Sequence, residues 1–150
     1  MTTRPLITKE DAQRWADLIV GLPLPVTVTW REGVLPSDSQ RGLVHQWFKD
    51  IADHFGDRSA REVKGLCNVT YGLPIRLRDP VFCWVWKRSG DGLSPEKQQA
   101  LLSVGNEVFR ITSAMTKPEL REYMTEMSED YRAQGVRLTD PELRKWEGAA

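Results

Sequence analysis

The sequence is poor in the residues on which most metal and catalytic sites depend. It has two histidines, His45 and His54, and two cysteines, Cys67 and Cys83, with no CxxC or Cys/His spacing among them. The histidines fall on different faces of one predicted helix and cannot share a metal ion without further ligands. We therefore expect no metal, no cofactor and two free buried thiols in a reducing cytoplasm.

The motifs of the common enzyme classes are also missing. The chain has no glycine-rich phosphate loop, no GxSxG nucleophile elbow and no HExxH zinc motif. Two carboxylate pairs, Asp50 with Asp53 and Glu129 with Asp130, are the kind that can hold Mg²⁺, but they fall on charged helix faces beside lysine and arginine. We expect no catalytic residues, and keep a Mg²⁺-dependent, structure-specific nuclease as an alternative.

No apolar run approaches the roughly 20 residues of a membrane-spanning helix. The N-terminus has no apolar segment typical of a secretory signal. The sequence predicts a soluble, cytoplasmic protein with no membrane partner. Its 150 residues fit a single domain, 1–150.

The chain has no excess of charge of either sign, with 21 basic and 21 acidic side chains. The charges are nevertheless unevenly distributed, because residues 57–90 hold seven basic and three acidic side chains, whereas residues 91–150 hold eight and eleven. This clustering predicts a basic surface from the middle third of the chain that binds a polyanion. Its candidate residues are Arg76, Arg78, Lys87 and Arg88.

The same basic region contains four aromatic side chains, Tyr71, Phe82, Trp84 and Trp86. Exposed rings beside cations can stack the bases of a single-stranded nucleic acid while the cations hold its phosphates. Rings of a strand that is buried on both faces would instead pack the core. The sequence leaves both interpretations open.

The segment from Ser37 to Gly56 predicts the central helix. Ser37 and Gln40 have capping-box spacing, and Gly56 supplies a left-handed end. The apolar residues between them recur at helical spacing and are expected in the core: Val44, Trp47, Phe48, Ile51 and Phe55. The opposite face carries Gln40, Arg41, His45, Lys49 and Asp53, where a functional surface is expected.

Further helix starts are marked by Ser, Thr or a first-turn proline. They are Thr8 with Asp11 in an N-terminal helix of 1–22, Ser59 with Glu62 in a helix ending at Gly72, Ser94 with Pro95 in a helix ending at Gly105 and Asn106, Thr116 with Glu119 in a helix closed by Gly135, and Thr139 with Glu142. The last helix and a frayed tail occupy 139–150, where Leu143 and Trp146 are candidates for contact with another subunit.

Three segments are predicted as strands, Val26–Arg31, Val81–Arg88 and Val108–Ser113, because β-branched and aromatic residues dominate them. Pro74 and Pro80 are expected to exclude helix before the second strand. In the first strand the residues expected to face inward are Val26, Val28 and Trp30. The predicted fold is therefore α+β, with a small, mostly antiparallel sheet of two to three strands and five to six helices.

The order of several short motifs resembles the NinB (Orf) family of bacteriophage recombination proteins. The matching pieces are Pro25 to Trp30, then Ser37, Gln40 and Arg41, then Glu62 to Lys64, then Thr112, Ser113 and Met115, then Gly135, Val136, Asp140 and Glu142. The resemblance covers about residues 23–147, so the N-terminal helix is less typical of the family. The family usually reads Gln-Asn-Arg where this chain has Gln40-Arg41.

The resemblance implies a homodimeric phage protein in the bacterial host that binds single-stranded DNA, cooperates with single-strand binding protein and helps to load a recombinase. It implies no catalysis. Arg41 and Lys64 match motif positions and join the candidate DNA-binding residues. Arg41 also lies one turn from a helix N-terminus, where an acidic side chain would be more favourable, which supports an anionic partner. A protein adaptor that docks through its C-terminal helix on a host replication or single-strand binding protein is the other alternative.

Overall fold

The computed structural model describes residues 6–30, 33, 36–104 and 108–140. Within these residues 67% are helical and none lies in a strand, so the predicted α+β fold is wrong. The α-helices in chain order are α1 (Lys9–Val20), α2 (Asp38–Phe55), α3 (Ala60–Cys67), α4 (Leu73–Arg76), α5 (Pro80–Ser89), α6 (Pro95–Ser103) and α7 (Lys117–Ala133). A π-helical turn, Asn68–Gly72, joins α3 to α4, and a 3₁₀ turn, Thr112–Ala114, precedes α7.

Backbone contacts divide the chain into two compact units, Met1–Leu35 and Pro36–Ala150. In the first unit, α1 begins at the predicted capping box. The backbone N–H of Asp11 donates to Thr8 Oγ1 at 3.1 Å, and that of Thr8 donates to Asp11 Oδ2 at 3.2 Å. The assignment of 1–150 to a single domain stays a prediction.

The predicted strand Val26–Arg31 is not formed in its described part, residues 26–30. The three side chains expected to face inward are 40%, 52% and 85% exposed at Val26, Val28 and Trp30. A strand needs a neighbouring strand to satisfy its backbone groups, and no other described segment is a strand.

The predicted central helix and its left-handed end at Gly56 are confirmed. Ser37 Oγ accepts from the backbone N–H of Gln40 at 3.1 Å, and Gly56 ends α2 with φ 72°, a conformation that costs glycine little. Only half of the predicted capping box forms, because the Gln40 side chain donates to Lys117 O at 3.5 Å instead of returning to Ser37. After Gly56, Ser59 and Glu62 form a complete capping box that begins α3.

The predicted strand Val81–Arg88 is helix α5. Asp79 is the N-cap, and its carboxylate accepts from the backbone N–H groups of Val81 and Phe82 at 2.9 and 3.1 Å. Pro80 lies in the first turn, where a missing N–H costs nothing, and Pro74 lies likewise in the first turn of α4. The two prolines therefore begin helices instead of excluding them.

The third predicted strand, Val108–Ser113, is irregular up to Ile111 and then enters the 3₁₀ turn. Helix α7 follows the predicted Thr116 and Glu119 capping box and ends before Gly135. The predicted helix end at residues 105 and 106 lies outside the described residues. So does the predicted C-terminal helix from residue 141 onward.

The core of the second unit is formed by one face of each of several helices. Its buried apolar side chains include Val44, Trp47, Phe48, Ile51, Val63, Cys67, Ile75, Phe82, Trp86, Leu102, Met115, Leu120, Tyr123, Met127 and Tyr131. A buried polar contact is embedded in it: Tyr123 Oη donates to Asn68 Oδ1 at 2.9 Å, and Asn68 Nδ2 donates to Leu102 O at 2.8 Å. These bonds connect α7, the π-helical turn and α6.

Gly65 sets the separation of α3 and α6. A Cβ atom at this position would clash with Gln99 O and lie 3.0 Å from Ser103 Cβ. Alanine normally stabilises a helix interior relative to glycine by about 1 kcal/mol. At Gly65 we expect the opposite sign, with Gly65→Ala lowering the free energy of unfolding by about 1 to 3 kcal/mol, because the two backbones must separate.

Urea unfolding followed by circular dichroism measures this effect. Gly92→Ala is the matched control, because nothing lies within 4 Å of a Cβ built at Gly92. A Gly65→Ala protein as stable as the unmodified chain would contradict the close approach of α3 and α6.

Candidate nucleic-acid interface

Two of the six predicted site residues, Arg41 and Lys64, lie on adjoining helices with two further basic groups. Arg41, His45 and Lys49 follow one another at four-residue spacing on α2, which places them along one side of the helix. Helix α3 packs against α2 and carries Lys64. We call these four side chains the α2–α3 basic strip.

The pKa of His45 reports the electrostatics of the strip. It lies below the usual 6.5, first because the ring loses part of its hydration, and then because the positive charges of Lys64 and Lys49 oppose a further one. No described carboxylate lies within ion-pair distance of the four side chains. The cations of the strip therefore form no ion pair, although Asp53 continues the same side of α2 four residues after Lys49, and the positive charge of the strip increases when His45 is protonated.

Arg41 is held less freely than a typical surface arginine. Its Nε atom is removed from water and has no hydrogen-bond partner in the described part of the chain. A buried donor without an acceptor costs about 1 to 3 kcal/mol. Arg41 is therefore the member of the strip that carries a buried, unsatisfied donor.

Arg76 and Arg78 are occupied by contacts within the protein. Arg76 Nε donates to Arg110 O at 2.9 Å, and its guanidinium lies 4.8 Å from the centre of the Phe82 ring. Arg78 forms a two-pronged ion pair with Glu122 of α7, at 2.9 and 2.6 Å. Arg76 and Arg78 are therefore not members of the α2–α3 basic strip, and both are paired with groups of the protein.

Lys87 and Arg88 lie in the last turn of α5. The guanidinium of Arg88 lies 4.0 Å from the centre of the Trp84 ring, and Arg88 Nη1 donates to Trp84 O at 3.2 Å. Val81 and Trp84 are 74% and 58% exposed. We call Val81, Trp84, Lys87 and Arg88 the α5 outer face.

Of the four aromatic rings considered for base stacking, three pack in the core and one is exposed. Tyr71, Phe82 and Trp86 are buried, so they pack the core. Trp84 alone among these four is exposed. Residues two apart lie on different faces of a helix but on the same face of a strand. Helix α5 therefore places Trp84 on a different face from Phe82 and Trp86.

His45 and Lys49 were recognised on the polar face of α2 but were not selected as site residues. Both lie before residue 57 and therefore outside the basic region of 57–90. Their four-residue spacing from Arg41 could have identified them, because it places all three side chains on one side of α2. Helix α3 then places Lys64 beside that side.

Two of the four carboxylates considered for a nuclease, Asp50 and Asp130, have structural partners. Asp50 Oδ2 accepts from Thr139 N and from Thr139 Oγ1, both at 2.7 Å. Asp130 Oδ2 accepts from Tyr71 Oη at 2.8 Å. Among the residues described, no group of three or more His, Cys, Asp or Glu side chains is arranged to hold a metal ion. The nuclease alternative stays a prediction without a site.

Both cysteines are free thiols, Cys67 buried and Cys83 partly buried. Burial raises the pKa of Cys67 to about 12, against a smaller lowering by its contact with Tyr131. A thiol that stays protonated at neutral pH is a poor nucleophile. Cys67 is therefore a core side chain and not a reactive group.

No protein-family model, curated protein or solved structure matches the chain. The resemblance to the NinB (Orf) family stays a prediction. Gln40, Arg41 and Glu62 to Lys64 of the motif order lie on α2 and α3, and Thr112, Ser113 and Met115 precede α7, but the strand that opens the order is not formed. None of the described helices combines the length and the apolar character needed to cross a membrane.

Proposed function

We propose that the chain is a non-enzymatic protein that binds single-stranded DNA through the α2–α3 basic strip. The observation that supports this most directly is the proximity of Lys49 and Lys64 to His45, on the side of α2 that also carries Arg41, with no described carboxylate in ion-pair distance. Like charges held together repel one another and are retained at a stability cost. A polyanion that shares its phosphates among them removes that repulsion.

The biological role in this proposal is that of a phage recombination mediator in the cytoplasm of the bacterial host. The resemblance supplies this part, together with a homodimer and cooperation with single-strand binding protein. Arg41 and Lys64, the two residues that match motif positions, both belong to the strip, and this coincidence supports the role.

The salt dependence of binding tests the strip. Each phosphate neutralised on a single strand contributes about 0.7 to the slope of log affinity against log salt. We expect a chain carrying Arg41→Ala, Lys49→Ala and Lys64→Ala to lose about 2 units of slope on a fluorescent oligothymidine, with unchanged helicity. Fluorescence anisotropy over a salt series measures it.

The control for this experiment removes three exposed cations of other segments, by Lys97→Ala, Arg121→Ala and Arg137→Ala, so that the net charge changes equally. Its slope should stay close to that of the unmodified chain. An equal loss of slope in both variants would show a general charge effect and overturn the strip as the site. An absence of DNA binding at low salt would overturn the function and favour the adaptor.

The non-enzymatic part of the proposal has its own test. Single-stranded and branched DNA incubated with the chain and Mg²⁺ should remain uncut. Cleavage that requires Mg²⁺ and is abolished by Asp53→Asn or Glu129→Gln would replace the proposal with the nuclease alternative.

A further inference from the structure

We propose that Trp84 is a base-stacking platform, on which one unpaired base of the bound strand rests while Lys87 and Arg88 attract the adjoining phosphates. This inference rests on the proposed binding of single-stranded DNA and adds a second, chemically different subsite to it. The α2–α3 basic strip can recognise phosphates only. A stacking ring recognises an unpaired base and therefore distinguishes single strands from duplexes.

The indole is exposed and yet held in place. Arg88 covers one part of the ring at 4.0 Å from its centre, and the bond from Arg88 Nη1 to Trp84 O fixes the guanidinium one helical turn away. The residue is still 58% exposed. A cation on one side of an aromatic ring and a base on the other is a favourable arrangement, because the cation–π contact and the stacking use opposite faces.

The charges around Trp84 favour a nucleic acid over an apolar protein surface as the occupant. Lys87 and Arg88 form no ion pair with any described carboxylate. The acid nearest in sequence at the start of the helix, Asp79, is engaged in capping α5. The α5 outer face therefore joins exposed aromatic surface to two cations that form no ion pair with a described carboxylate, Asp91 after the helix included, which is the composition of a single-strand groove.

The affinity of the full chain for oligothymidine tests this inference. Stacking contributes about 1 to 3 kcal/mol per base, so Trp84→Ala should weaken binding by about 5-fold to 150-fold. The salt slope should not change, because no cation is removed. Trp84→Phe should recover much of the affinity, and duplex DNA should show little effect of either variant.

Trp30→Ala is the matched control, because Trp30 is 85% exposed and lies in the other unit of the chain. It should bind oligothymidine as the unmodified chain does. Titration with the oligonucleotide should also quench tryptophan fluorescence, and this quenching should fall in Trp84→Ala and not in Trp30→Ala.

The outcomes separate this inference from the function on which it rests. Normal affinity in Trp84→Ala, together with the slope loss of the triple strip variant, would overturn the stacking platform and leave the proposed function standing. An absence of DNA binding by the unmodified chain would overturn both. If Trp84→Ala and Val81→Ala instead both abolish self-association in sedimentation and leave affinity per chain unchanged, the α5 outer face is a protein interface and the inference is wrong.

Discussion

Replacing Trp86 with alanine should lower the free energy of unfolding by about 3 to 5 kcal/mol, the range found for large aromatic side chains removed from cores. Trp86 is 2% exposed. Its ring lies parallel to that of Phe82, with centroids 6.3 Å apart, and meets the edge of Phe109 at 5.4 Å. The substitution removes both contacts and leaves a cavity that the helices around it can fill only in part.

Trp84→Ala is the control within the same helix. Trp84 is 58% exposed, so its replacement should change stability by no more than about 0.5 kcal/mol. Chemical denaturation of the two variants, followed by circular dichroism, measures the difference. Equal losses at the two positions would contradict helix α5, because only a strand places residues 84 and 86 on the same face.

The ends of helices could be predicted because their signals are local. The capping boxes at Thr8, Ser59 and Thr116 each involve a side chain and a backbone group three residues apart, and all three form. Such contacts depend little on the rest of the fold. The end of α2 at Gly56 was predictable for the same reason. Many helices end at a residue with a left-handed backbone conformation, and this residue is usually glycine.

Helix α5 could not be predicted from its composition. Aromatic and β-branched residues favour strands mainly because of how they pack on a sheet, so the preference has little meaning for α5, since the described residues form no sheet. The decisive signals were Asp79 and Pro80, which together begin a helix. A proline breaks a helix when it falls in the interior but is compatible with the first turn, and the sequence around Pro80 does not by itself show which of the two applies.

Only the part of the candidate site that depends on short spacings along the sequence could be predicted. Arg41 and Lys64 could be selected by motif, and His45 and Lys49 were within reach through the periodicity of α2. The partners of Arg76 and Arg78 lie 34 and 44 residues away in the sequence. Charge clustering along the chain could not reveal that these two arginines are engaged, because their pairing is created by the fold.

Alkaline unfolding should be unusually steep, because every tyrosine of the chain is buried. Burial is the main cause that raises the pKa of Tyr71, Tyr123 and Tyr131 above the usual value near 10. A hydrogen bond donated to Asp130 raises the pKa of Tyr71 further. Cys67 joins them, with its pKa raised from 9.0 to about 12.

The sign of the effect follows from which state releases protons. Above about pH 9 to 10 the unfolded chain loses protons from these four groups, whereas the folded chain keeps them. Stability from this source is therefore complete below pH 9 and falls as the pH rises. Each group contributes about 1.4 kcal/mol per pH unit, so above pH 10 the four together lower the free energy of unfolding by roughly 5 kcal/mol per unit.

That slope is comparable to the whole stability of many small proteins, which starts at about 5 kcal/mol. We therefore expect cooperative unfolding within one or two pH units above pH 10. Tyrosinate absorbance should appear together with the loss of helical circular dichroism, since the chain has three tyrosines and all are in the core. Tyrosinate that forms while the helices remain intact would contradict their burial.

Cys67→Ala separates the thiol from the phenols. The variant should be less stable at neutral pH, because it loses a buried side chain and its contact to Tyr131 at 3.8 Å. Between about pH 9 and 10, however, its stability should fall only about half as steeply as that of the unmodified chain, because the thiol ionises first in the unfolded chain and the three phenols supply the rest of the decline. Tyr131→Phe should show the complementary result, with the decline from pH 9 retained and the slope above pH 10 reduced by about a quarter.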